Sequence, residues 1–475
     1  MSIENLANLN QEPVNYNYWL DVMRPVFEGR KVIVSGNSIA GLLPRARMIR
    51  GLGAESTFML ATDGMGTGDT PTDDDGGWLA IEAPHSSNII EAIHAGQRLI
   101  ANLPAYAINA LDAFDPNKEA LVVGSFLHEL PYVAGRKSLA YRKPEWLALD
   151  DKTIIDSVWD KMGVQREPSE VVPVHKDAIL AAMRRLDTGD GVVWGSDSKE
   201  GINGGAIGIR WVRTEADADN ALKYFQAHSS QIRVMPFLEG IPCSIHGMVF
   251  PNYVAAFRPV EMVVLRKSDT NEFFYAGTAS YFDPKPTDRE YMRATAKIVG
   301  SALRDMVDFR GVFTIDGVMT KDGFRPTELN PRYGAGAMPL LKGLPDFPLE
   351  LIAQAVISGC IVDFKPEELE KLIVQSADSQ RGGGTWSALP KHLPQINHRP
   401  IKLTESGWQW ANDNEENAGT VDVGPGPLGS FIKFVPTGSV PIGPSFGPLA
   451  RDFWTFIDDT MASGIGALES AKSVR

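Results

Sequence analysis

Short apolar runs alternate with amphipathic stretches over the first third of the chain. Three of these runs are rich in β-forming residues: KVIVSG at 31–36, STFMLAT at 56–62 and EALVVGSF at 119–126. Stretches with helical spacing, among them 39–50 and 88–101, separate the runs. Strand, helix and strand in this order are typical of a parallel sheet covered by helices. The pattern therefore predicts a βαβ domain over residues 1–150.

The turn after the first apolar run leads from Gly-Asn-Ser into a helical pattern. Such a turn can hold an anion at the helix N-terminus, but it can equally be an ordinary strand-to-helix connection. Gly36 and Gly41 do not supply the dinucleotide fingerprint Gly-x-Gly-x-x-Gly. Its literal match, GPGPLG at 424–429, contains two prolines and precedes a strand-like run, so we regard it as accidental. The sequence has no P-loop motif, and a nucleotide triphosphate would need another kind of site.

The pattern changes at Asp151. DDKTIIDSVWDKMG has one apolar face, acids at its start and Gly163 after its end, which predicts a helix of three turns from Asp151. GVVWGSDSKEGINGGAIGIRWV at 191–212 is typical of two strands joined by a glycine-rich loop, which is a hairpin flap. The runs QIRVMPFLEG and IPCSIHGMVF meet near Glu239 and Gly240 and predict an antiparallel sheet.

The polar residues with the clearest chemistry lie in a predicted hairpin after a helix over 290–308. In GVFTIDGVMTKDGFRPTELNPRYG, Asp316 lies on the first strand, Glu328 and Asn330 lie on the second, and Arg332 follows. If the KDG turn pairs the strands antiparallel, Asp316 faces the second strand. The two-residue period of a strand then places the other three side chains on one face.

Two carboxylates and an amide oxygen on one surface suit Mg²⁺, which prefers hard oxygen ligands. Arg332 alongside them can hold a phosphoryl or acylphosphate group. The alternative interpretation is a hairpin whose polar residues face solvent, because Asp, Asn and Arg are common near turns.

Composition and charge argue against several classes of protein. The chain has 475 residues, 43% of them apolar, which is enough for several folded domains, and a formal net charge of −13 argues against a nucleic-acid-binding protein. Cys243 and Cys360 have no further Cys or His at metal-ligand spacing, so neither a disulfide framework nor a zinc site is predicted. The N-terminus lacks a signal-like apolar core and no run of about 18 apolar residues occurs, so we expect no membrane span and a cytoplasmic location.

The motif Glu-Leu-Asn-Pro-Arg at 328–332 begins twelve residues after Asp316 and resembles the metal-binding strand pair of the ATP-grasp superfamily. The resemblance implies that ATP is a substrate. It also implies that Asp316, Glu328 and Asn330 bind Mg²⁺, with Mn²⁺ as an alternative, and that Arg332 is a catalytic residue.

The same resemblance implies further ATP contacts. Lys152 matches the first lysine that binds ATP phosphates, and the loop 195–208 matches the glycine-rich flap over the triphosphate. The flap glycines expected to approach the phosphates are Gly201, Gly204 and Gly205. MPFLEG resembles the interlobe hinge, so the backbone at Pro236 and Leu238 would bind the adenine edge.

Two positions depart from the family pattern. Trp194 stands where the family usually has a second lysine, before the flap, and Lys199 within the loop is the candidate replacement. Pro242 stands where the family often has a glutamate for the ribose hydroxyls, and Glu239 is the candidate replacement.

The order of these motifs implies an α/β and α+β architecture with four parts. They are an N-terminal Rossmann-like pre-ATP-grasp domain at 1–150, an ATP-grasp N-terminal lobe at 151–238, a C-terminal lobe with the metal site at 239–360, and an additional C-terminal domain at 361–475. This architecture is most similar to that of the pheganomycin-type peptide ligases. The last part carries several tryptophans on a loop-rich sequence, and we expect it to act as a clamp over a peptide acceptor.

The resemblance implies a ligase that joins the carboxylate of an amino acid or guanidino amino acid to the amine of a peptide or amino acid. The reaction would pass through an acylphosphate and release ADP and phosphate. Arg258, Arg266 and Arg310 are candidates for binding the acid substrate, with a purely structural charge as the alternative for each. The acidic run TDDDGG at 72–77 would suit a cationic donor, or it is a solvated loop. We expect a small acid and an amine as partners, no nucleic acid, no membrane, and a homodimer.

Three other functions stay open at this point. An ATP-grasp enzyme can instead phosphorylate or carboxylate a small molecule, and production of ADP without any amine would favour that activity. A non-catalytic nucleotide-binding protein is consistent with the departures at Trp194 and Pro242, although the four polar residues of the hairpin count against it. A Rossmann oxidoreductase would require nicotinamide binding.

Overall fold

A computed structural model of the protein describes residues 16–81, 86, 88–199, 201, 204–360, 362–412, 414–438 and 440–474. The α-helices of these residues are α1 Tyr16–Phe27, α2 Ile39–Gly51, α3 Ile89–Ala101, α4 Ala105–Phe114, α5 Pro144–Leu147, α6 Ile155–Met162, α7 Lys176–Leu186, α8 Glu215–His228, α9 Pro286–Val307, α10 Leu349–Ile357, α11 Pro366–Ser379 and α12 Gly447–Met461. The segment on which the prediction of no signal peptide depends lies largely outside these residues.

The β-strands are β1 Lys31–Gly36, β2 Ser56–Ala61, β3 Gly77–Ala80, β4 Leu121–Val123, β5 Tyr132–Val133, β6 Arg136–Lys137, β7 Glu170–Pro173, β8 Val192–Ser196, β9 Ile209–Val212, β10 Gln231–Pro236, β11 Ile241–Val249, β12 Val254–Ala256, β13 Val260–Lys267, β14 Phe273–Ala279, β15 Gly311–Thr320, β16 Gly323–Asn330, β17 Gly383–Leu389, β18 Ile396–Thr404, β19 Gly407–Trp410, β20 Gly419–Pro425, β21 Ser430–Pro436 and β22 Leu468–Glu469.

The first sheet is parallel and has the strand order β3-β2-β1-β4. Val32 and Val34 of β1 belong to the core that includes helix α2, whereas Ile33 belongs to the core that includes helix α4. Because helices cover both faces, every position of the strand's centre is buried, which explains the unbroken apolar run in the sequence. The predicted Rossmann-like domain is therefore confirmed.

The second sheet is small and antiparallel, with the order β7-β10-β8-β9. Helices α7 and α8 cover one face, where Trp194 and Phe225 are part of a single core. Gly195 and Arg233 are directly paired on adjacent strands. Since neighbouring residues of a strand point to opposite faces, these two lie on the face away from that core.

The third sheet is large, and its main path has the order β16-β15-β11-β13-β14-β17-β21-β20-β18-β19. Helix α9 packs against it through Met292, Val299 and Leu303. The path passes from β14 to β17, so the strands after residue 361 continue the sheet of the preceding lobe. Gly277 permits this close pairing, because a Cβ there would lie 2.6 Å from the carbonyl oxygen of Gly384.

One predicted element begins later than expected. The helix expected to start at Asp151 is α6, which starts at Ile155. The Asp151 carboxylate accepts hydrogen bonds from the backbone N–H and the hydroxyl of Thr153, and this local turn competes with the first helical turn. The helix ends as predicted, at Gly163 in the left-handed conformation.

Among the described residues, no helix combines the length and the apolar character that crossing a bilayer requires.

Candidate active site

The predicted hairpin is present as β15 and β16, and it sets the geometry of the site. Asp316 lies directly opposite Glu328, and Thr314 lies opposite Asn330. A register shift between Asp316 and Gly317 puts one extra residue on β16. The side chains of Asp316, Glu328 and Asn330 consequently share one face of the sheet.

A chain of hydrogen bonds fixes the acidic end of this cluster. The Asn330 amide donates from Nδ2 to Asp316 Oδ2 at 2.8 Å, and the Ser244 hydroxyl donates to Asp316 Oδ1 at 2.5 Å. Arg332 donates from Nη2 to Asn330 Oδ1 at 2.6 Å. Ser244 is the residue opposite Asp316 on β11, so three adjacent strands contribute to the site.

Lys152 reaches the same cluster from outside the sheet. Its Nζ donates to Glu328 Oε1 at 3.0 Å, and its side chain is 8% exposed. Asp151 fixes the preceding turn by accepting a 2.8 Å hydrogen bond from the hydroxyl of Ser198, at the start of the flap. Gly195 makes room for the lysine, since a Cβ there would lie 3.3 Å from Lys152 Cδ.

The negative charge of Asp316 is disfavoured in this cluster. Burial and the nearby Glu328 carboxylate raise the pKa of Asp316 to about 7, against the opposing effects of Ser244, Arg332 and Lys152. Within the described ranges, no cluster of three or more His, Cys, Asp or Glu side chains is arranged to hold a metal ion, so a site here depends on the amide oxygen of Asn330. Two carboxylates and one amide fit the oxygen preference of Mg²⁺ or Mn²⁺.

Arg332 has a charge that nearby acids neutralise only in part. Its Nε lies 3.7 Å from Asp150 Oδ1, and both atoms are buried without a hydrogen-bond partner. Asp150 is itself paired with the buried Arg142. Its Nη2 donates to Asn330, at the edge of the carboxylate cluster. An anion beside the cluster would therefore meet a guanidinium that can bind it.

The flap lies against the N-terminal domain. A Cβ at Gly201 would be 3.3 Å from His94 Nε2, and one at Gly205 would be 3.3 Å from Ile89 Cγ2, both on helix α3. Gly204 lies near Ile90 of the same helix. Residues 200, 202 and 203 of the predicted flap are outside the described part of the chain.

The first residues of the flap are fixed by Asp197. This carboxylate accepts 2.8 Å hydrogen bonds from the backbone N–H groups of Ser230 and Gln231, and the N–H of Lys199 donates to it as well. The Lys199 side chain is exposed. The structure therefore places Lys199 at the surface of the flap, and its expected contact with ATP stays a prediction.

The segment predicted as the hinge connects the small sheet to the large one, since Pro236 ends β10 and Ile241 begins β11. The Phe237 ring stacks on Trp211 with centroids 4.2 Å apart, and the Arg266 guanidinium lies 4.9 Å from the Phe237 centroid. The backbone of Leu238 makes no hydrogen bond to any described residue. An adenine edge could bind there without displacing a protein hydrogen bond.

Glu239 has a partner that the sequence did not indicate. Arg266 donates to both of its carboxylate oxygens, at 2.6 and 3.0 Å, and the backbone N–H of Lys472 donates at 3.1 Å. Burial raises the pKa of Glu239, but these hydrogen bonds outweigh it and lower the pKa overall. A ribose contact by Glu239 would compete with Arg266.

The three arginines expected to bind a substrate acid do not converge on the carboxylate cluster. Arg266 is paired at the hinge, and Arg310 pairs with Asp308 and donates to the carbonyl of Phe309. Arg258 is buried between two carboxylates, those of Asp283 and Asp378. A buried guanidinium requires such partners, which explains an internal role for Arg258. The acidic run at 72–77 is also partly structural, because Asp75 is paired with Arg47 and Asp73 and Asp74 are exposed.

One of the two departures from the family pattern, Trp194, has a structural counterpart. Trp194 is buried in the core beneath α7 and α8, on the opposite face from Lys152. Arg233, which sequence reasoning missed, is buried on the same face as Gly195 and donates to Asp156 and to the carbonyl of Thr327 on β16. The signal that could have identified Arg233 is its position within the apolar run QIRVMP, where a charged residue is unusual.

A cavity of about 40 Å³ lies beside Arg332, between the N-terminal domain and helix α10. Its walls include Arg142, Glu350 and Gln354, and it adjoins the end of the carboxylate cluster that Arg332 contacts.

No protein-family model matches this chain, and no curated protein matches it significantly. Solved structures do share its fold. The biotin carboxylase domain dimer of 2-oxoglutarate carboxylase from Hydrogenobacter thermophilus, in complex with MgADP, ADP and bicarbonate, has a TM-score of 0.52 at 13% identity, over 93% of this chain and 91% of that chain.

Two further structures are similar over comparable lengths. Carboxyaminoimidazole ribonucleotide synthase from Aspergillus clavatus, complexed with ATP, has a TM-score of 0.51 at 13% identity, over 91% of this chain and 98% of that one. Biotin carboxylase from Campylobacter jejuni, as a β-γ-ATP complex, has a TM-score of 0.53 at 11% identity, over 95% and 94%. These likenesses show that the chain has the ATP-grasp fold, as the sequence predicted.

Proposed function

We propose that this protein is an ATP-dependent carboxylate-amine ligase that forms a peptide bond. One observation carries the proposal: Asp316, Glu328, Asn330 and Arg332 converge on one sheet face, and Lys152 reaches them from the other lobe. The fold is shared with proteins whose structures contain ATP or ADP, which supports ATP as a substrate. The substrates we propose are an amino acid or guanidino amino acid as acyl donor and a peptide or amino acid as amine.

Each residue of the cluster has a role in this proposal. Asp316, Glu328 and Asn330 would hold Mg²⁺, and Asn330 would turn its oxygen from Arg332 to the ion. When bound, the ion neutralises charge on the transferring phosphoryl group. Lys152 would exchange its Glu328 partner for a phosphate oxygen, because its ammonium is a compact charge on a flexible stem.

The proposed reaction has two steps. An oxygen of the donor carboxylate attacks the γ-phosphorus, the bond from that phosphorus to the bridging oxygen of ADP breaks, and an acylphosphate forms. The amine nitrogen then attacks the acyl carbon, the carbon–oxygen bond to phosphate breaks, and the amine proton passes to solvent. Arg332 stabilises the negative charge on the phosphate in both steps. No protein nucleophile is required.

Each part of the chain has its own role in this proposal. We propose the pre-ATP-grasp domain at 1–150 and the lobes at 151–238 and 239–360 as the parts that enclose the two reactants, with 361–475 as a clamp over the acceptor. The flap packs against helix α3 of the first part, which supports a closed site between them. A homodimer is also proposed, as in the domain dimer from Hydrogenobacter thermophilus.

A second function has specific support. An ATP-dependent carboxylase would use bicarbonate in place of the donor carboxylate, and one protein of this fold was solved with bicarbonate bound. The cavity beside Arg332 is small enough for such an anion. A non-catalytic nucleotide-binding protein would keep the fold without turnover.

One experiment separates these functions. Phosphate release from MgATP is measured with the purified full chain against amino acids crossed with short peptides, and separately against bicarbonate with amines, while mass spectrometry identifies products. A ligase releases phosphate only when both an acid and an amine are present and yields the condensed product. Release that requires bicarbonate identifies a carboxylase, and tight ATP binding without turnover identifies a binding protein. Asp316→Asn should abolish the activity, whereas the exposed Asp322→Asn on the same hairpin should retain it.

A further inference from the structure

The cavity beside Arg332 lies between two parts of the chain that are distant in sequence. One wall comes from the segment after β4 and includes Arg142, and the other comes from helix α10 and the residues after β16. Its volume of about 40 Å³ equals a few water molecules or one small polar group. The position next to the carboxylate cluster makes it a candidate site for a reactant.

The cavity is lined by buried polar atoms that make no hydrogen bond to the described residues. On the donor side, these are Arg142 Nε and Nη1 and Arg332 Nε, and on the acceptor side they are Glu350 Oε1 and Gln354 Oε1. Buried polar groups in native proteins are nearly always hydrogen-bonded, because an unpaired one costs free energy. Five such atoms around one cavity indicate a site that is completed by a ligand.

The acceptors are held in place by bonds on their other side. Glu350 and Gln354 are four residues apart on α10 and so lie on one face of the helix. Gln354 Nε2 donates to the carbonyl of Gly124 at 2.9 Å, and Arg45 donates to Glu350 Oε2 at 2.5 Å. Glu350 therefore presents its second carboxylate oxygen and Gln354 presents its amide oxygen, and neither side chain needs to reorient.

The donors are fixed in the same way. Arg142 is buried and paired through Nη2 with Asp150, while Glu129 lies 3.5 Å from its Nη1. Arg332 is held through Nη2 by Asn330. The cavity thus has guanidinium groups on one side and a carboxylate with an amide oxygen on the other.

We propose that this cavity binds the zwitterionic head group of an α-amino acid, with its carboxylate toward Arg332 and Arg142 and its ammonium at Glu350 and Gln354. An anion alone would leave the two acceptors unpaired, and an amine alone would leave the guanidinium donors unpaired. This assignment rests on the proposed ligase function. In that reaction the bound amino acid is the acyl donor, and its carboxylate lies beside the phosphate site.

The test is isothermal titration of the full chain, without ATP, with glycine, acetate, ethylammonium and bicarbonate as probes. Glycine should bind at least about tenfold more tightly than any of the other three, because only glycine satisfies both sets of atoms. Equal binding of acetate or bicarbonate would replace the proposal by an anion site, and failure of glycine to bind would overturn it.

A single substitution tests whether glycine binds in this cavity. Gln354→Met keeps the side-chain volume and removes one acceptor, so glycine affinity should fall about tenfold while acetate affinity stays the same. The matched control is Gln409→Met at an exposed position of β19, which should leave both unchanged. An unaltered glycine affinity in Gln354→Met contradicts the proposal. If this variant does not fold, the selectivity among the four probes still decides.

The two proposals fail in different ways. Glycine binding with no ATP turnover in any combination of acids and amines refutes the ligase and keeps the zwitterion site. Ligase turnover without the expected glycine selectivity refutes the site and keeps the ligase.

Discussion

Lys152 donates a 3.0 Å hydrogen bond to Glu328 although 176 residues separate them in the chain. Lys152 lies in the turn before α6 and Glu328 on the edge strand of the large sheet, so the bond forms only when the two parts are docked. The positive charge of Lys152 compensates the negative charge of Glu328, which is one of the two facing carboxylates. Asp316, directly opposite Glu328, remains the acid whose charge is disfavoured.

Asp316→Asn should abolish activity at the proposed metal site and yet raise the stability of the metal-free protein at high pH. Burial and Glu328 raise the pKa of Asp316 to about 7 in the folded protein, above the value near 4 of an unfolded chain. The stability contributed by the protonated acid is therefore complete below about pH 4 and is lost as the pH rises through about 7. We expect the metal-free variant to melt at a higher temperature than the wild type at pH 8 and to differ little at pH 4.

The readouts for this variant are thermal melting in EDTA and MgATP turnover, which we expect to fall at least about 100-fold. Asp322→Asn, an exposed substitution on the same hairpin, is the control for both. A metal-free Asp316→Asn protein that is less stable than the wild type at pH 8 would show that the carboxylate repulsion is unimportant.

Arg332→Lys should reduce turnover and affect nucleotide binding only slightly. Lysine keeps the positive charge but loses the planar fork that contacts Asn330 and faces Asp150. We expect kcat to fall about 100-fold while the Kd for MgATP changes less than about threefold. Steady-state kinetics and ATP titration measure the two effects, with Arg451→Lys on the surface of α12 as the control. A large loss of ATP affinity with unchanged kcat would assign Arg332 to ground-state binding.

Glu239→Gln should destabilise the hinge. The substitution removes the charge that pairs with the nearly buried Arg266 and one acceptor for the C-terminal segment. We expect a loss of about 1–2 kcal/mol, less than for a fully buried pair because Glu239 is partly exposed. Urea unfolding measures the change, and Glu405→Gln at an exposed turn is the control. A double variant with Arg266→Met should recover part of the loss, and strict additivity would argue against the coupling.

His246 should contribute to acid sensitivity. Burial lowers its pKa to about 3, and burial lowers that of His128 to about 4, both below the value near 6.5 of an unfolded chain. The unfolded chain therefore binds more protons between these values, and stability present above about pH 6.5 is lost as the pH falls.

The test compares melting temperatures at pH 7 and pH 5. His246→Gln should show a smaller decrease than the wild type, whereas His392→Gln, at an exposed position, should show the wild-type decrease. Gly334 and Gly336 pack closely on His246, so some loss of stability at pH 7 is expected in the first variant. A decrease as large as that of the wild type would exclude His246 as a source of the pH dependence.

Local pattern was enough to predict the parts of the fold that a few neighbouring residues specify. The run KVIVSG became β1, and the hairpin of β15 and β16 places Asp316 opposite Glu328. The strand and the hairpin follow from short-range rules, because strand residues alternate between faces and a two-residue turn connects adjacent strands. The pairing of Asp316 with Glu328 does not, because the turn pairs Thr320 with Gly323, and the extra residue on β16 shifts the partner of Asp316 from Thr327 to Glu328. The start of α6 was wrong by one turn, since a side chain of Asp151 competes with the helix for its first hydrogen bonds.

Contacts between residues far apart in the chain could be identified only from the tertiary structure. Nothing in the sequence joined Ser244 to Asp316, Arg266 to Glu239 or Gln354 to the space beside Arg332. Sequence alone determined which polar residues the hairpin carries, because Asp316, Glu328, Asn330 and Arg332 lie within one short segment. Tertiary packing alone decided which charges are paired and where an unpaired group remains, because those outcomes depend on desolvation at contacts between lobes that only the folded chain creates.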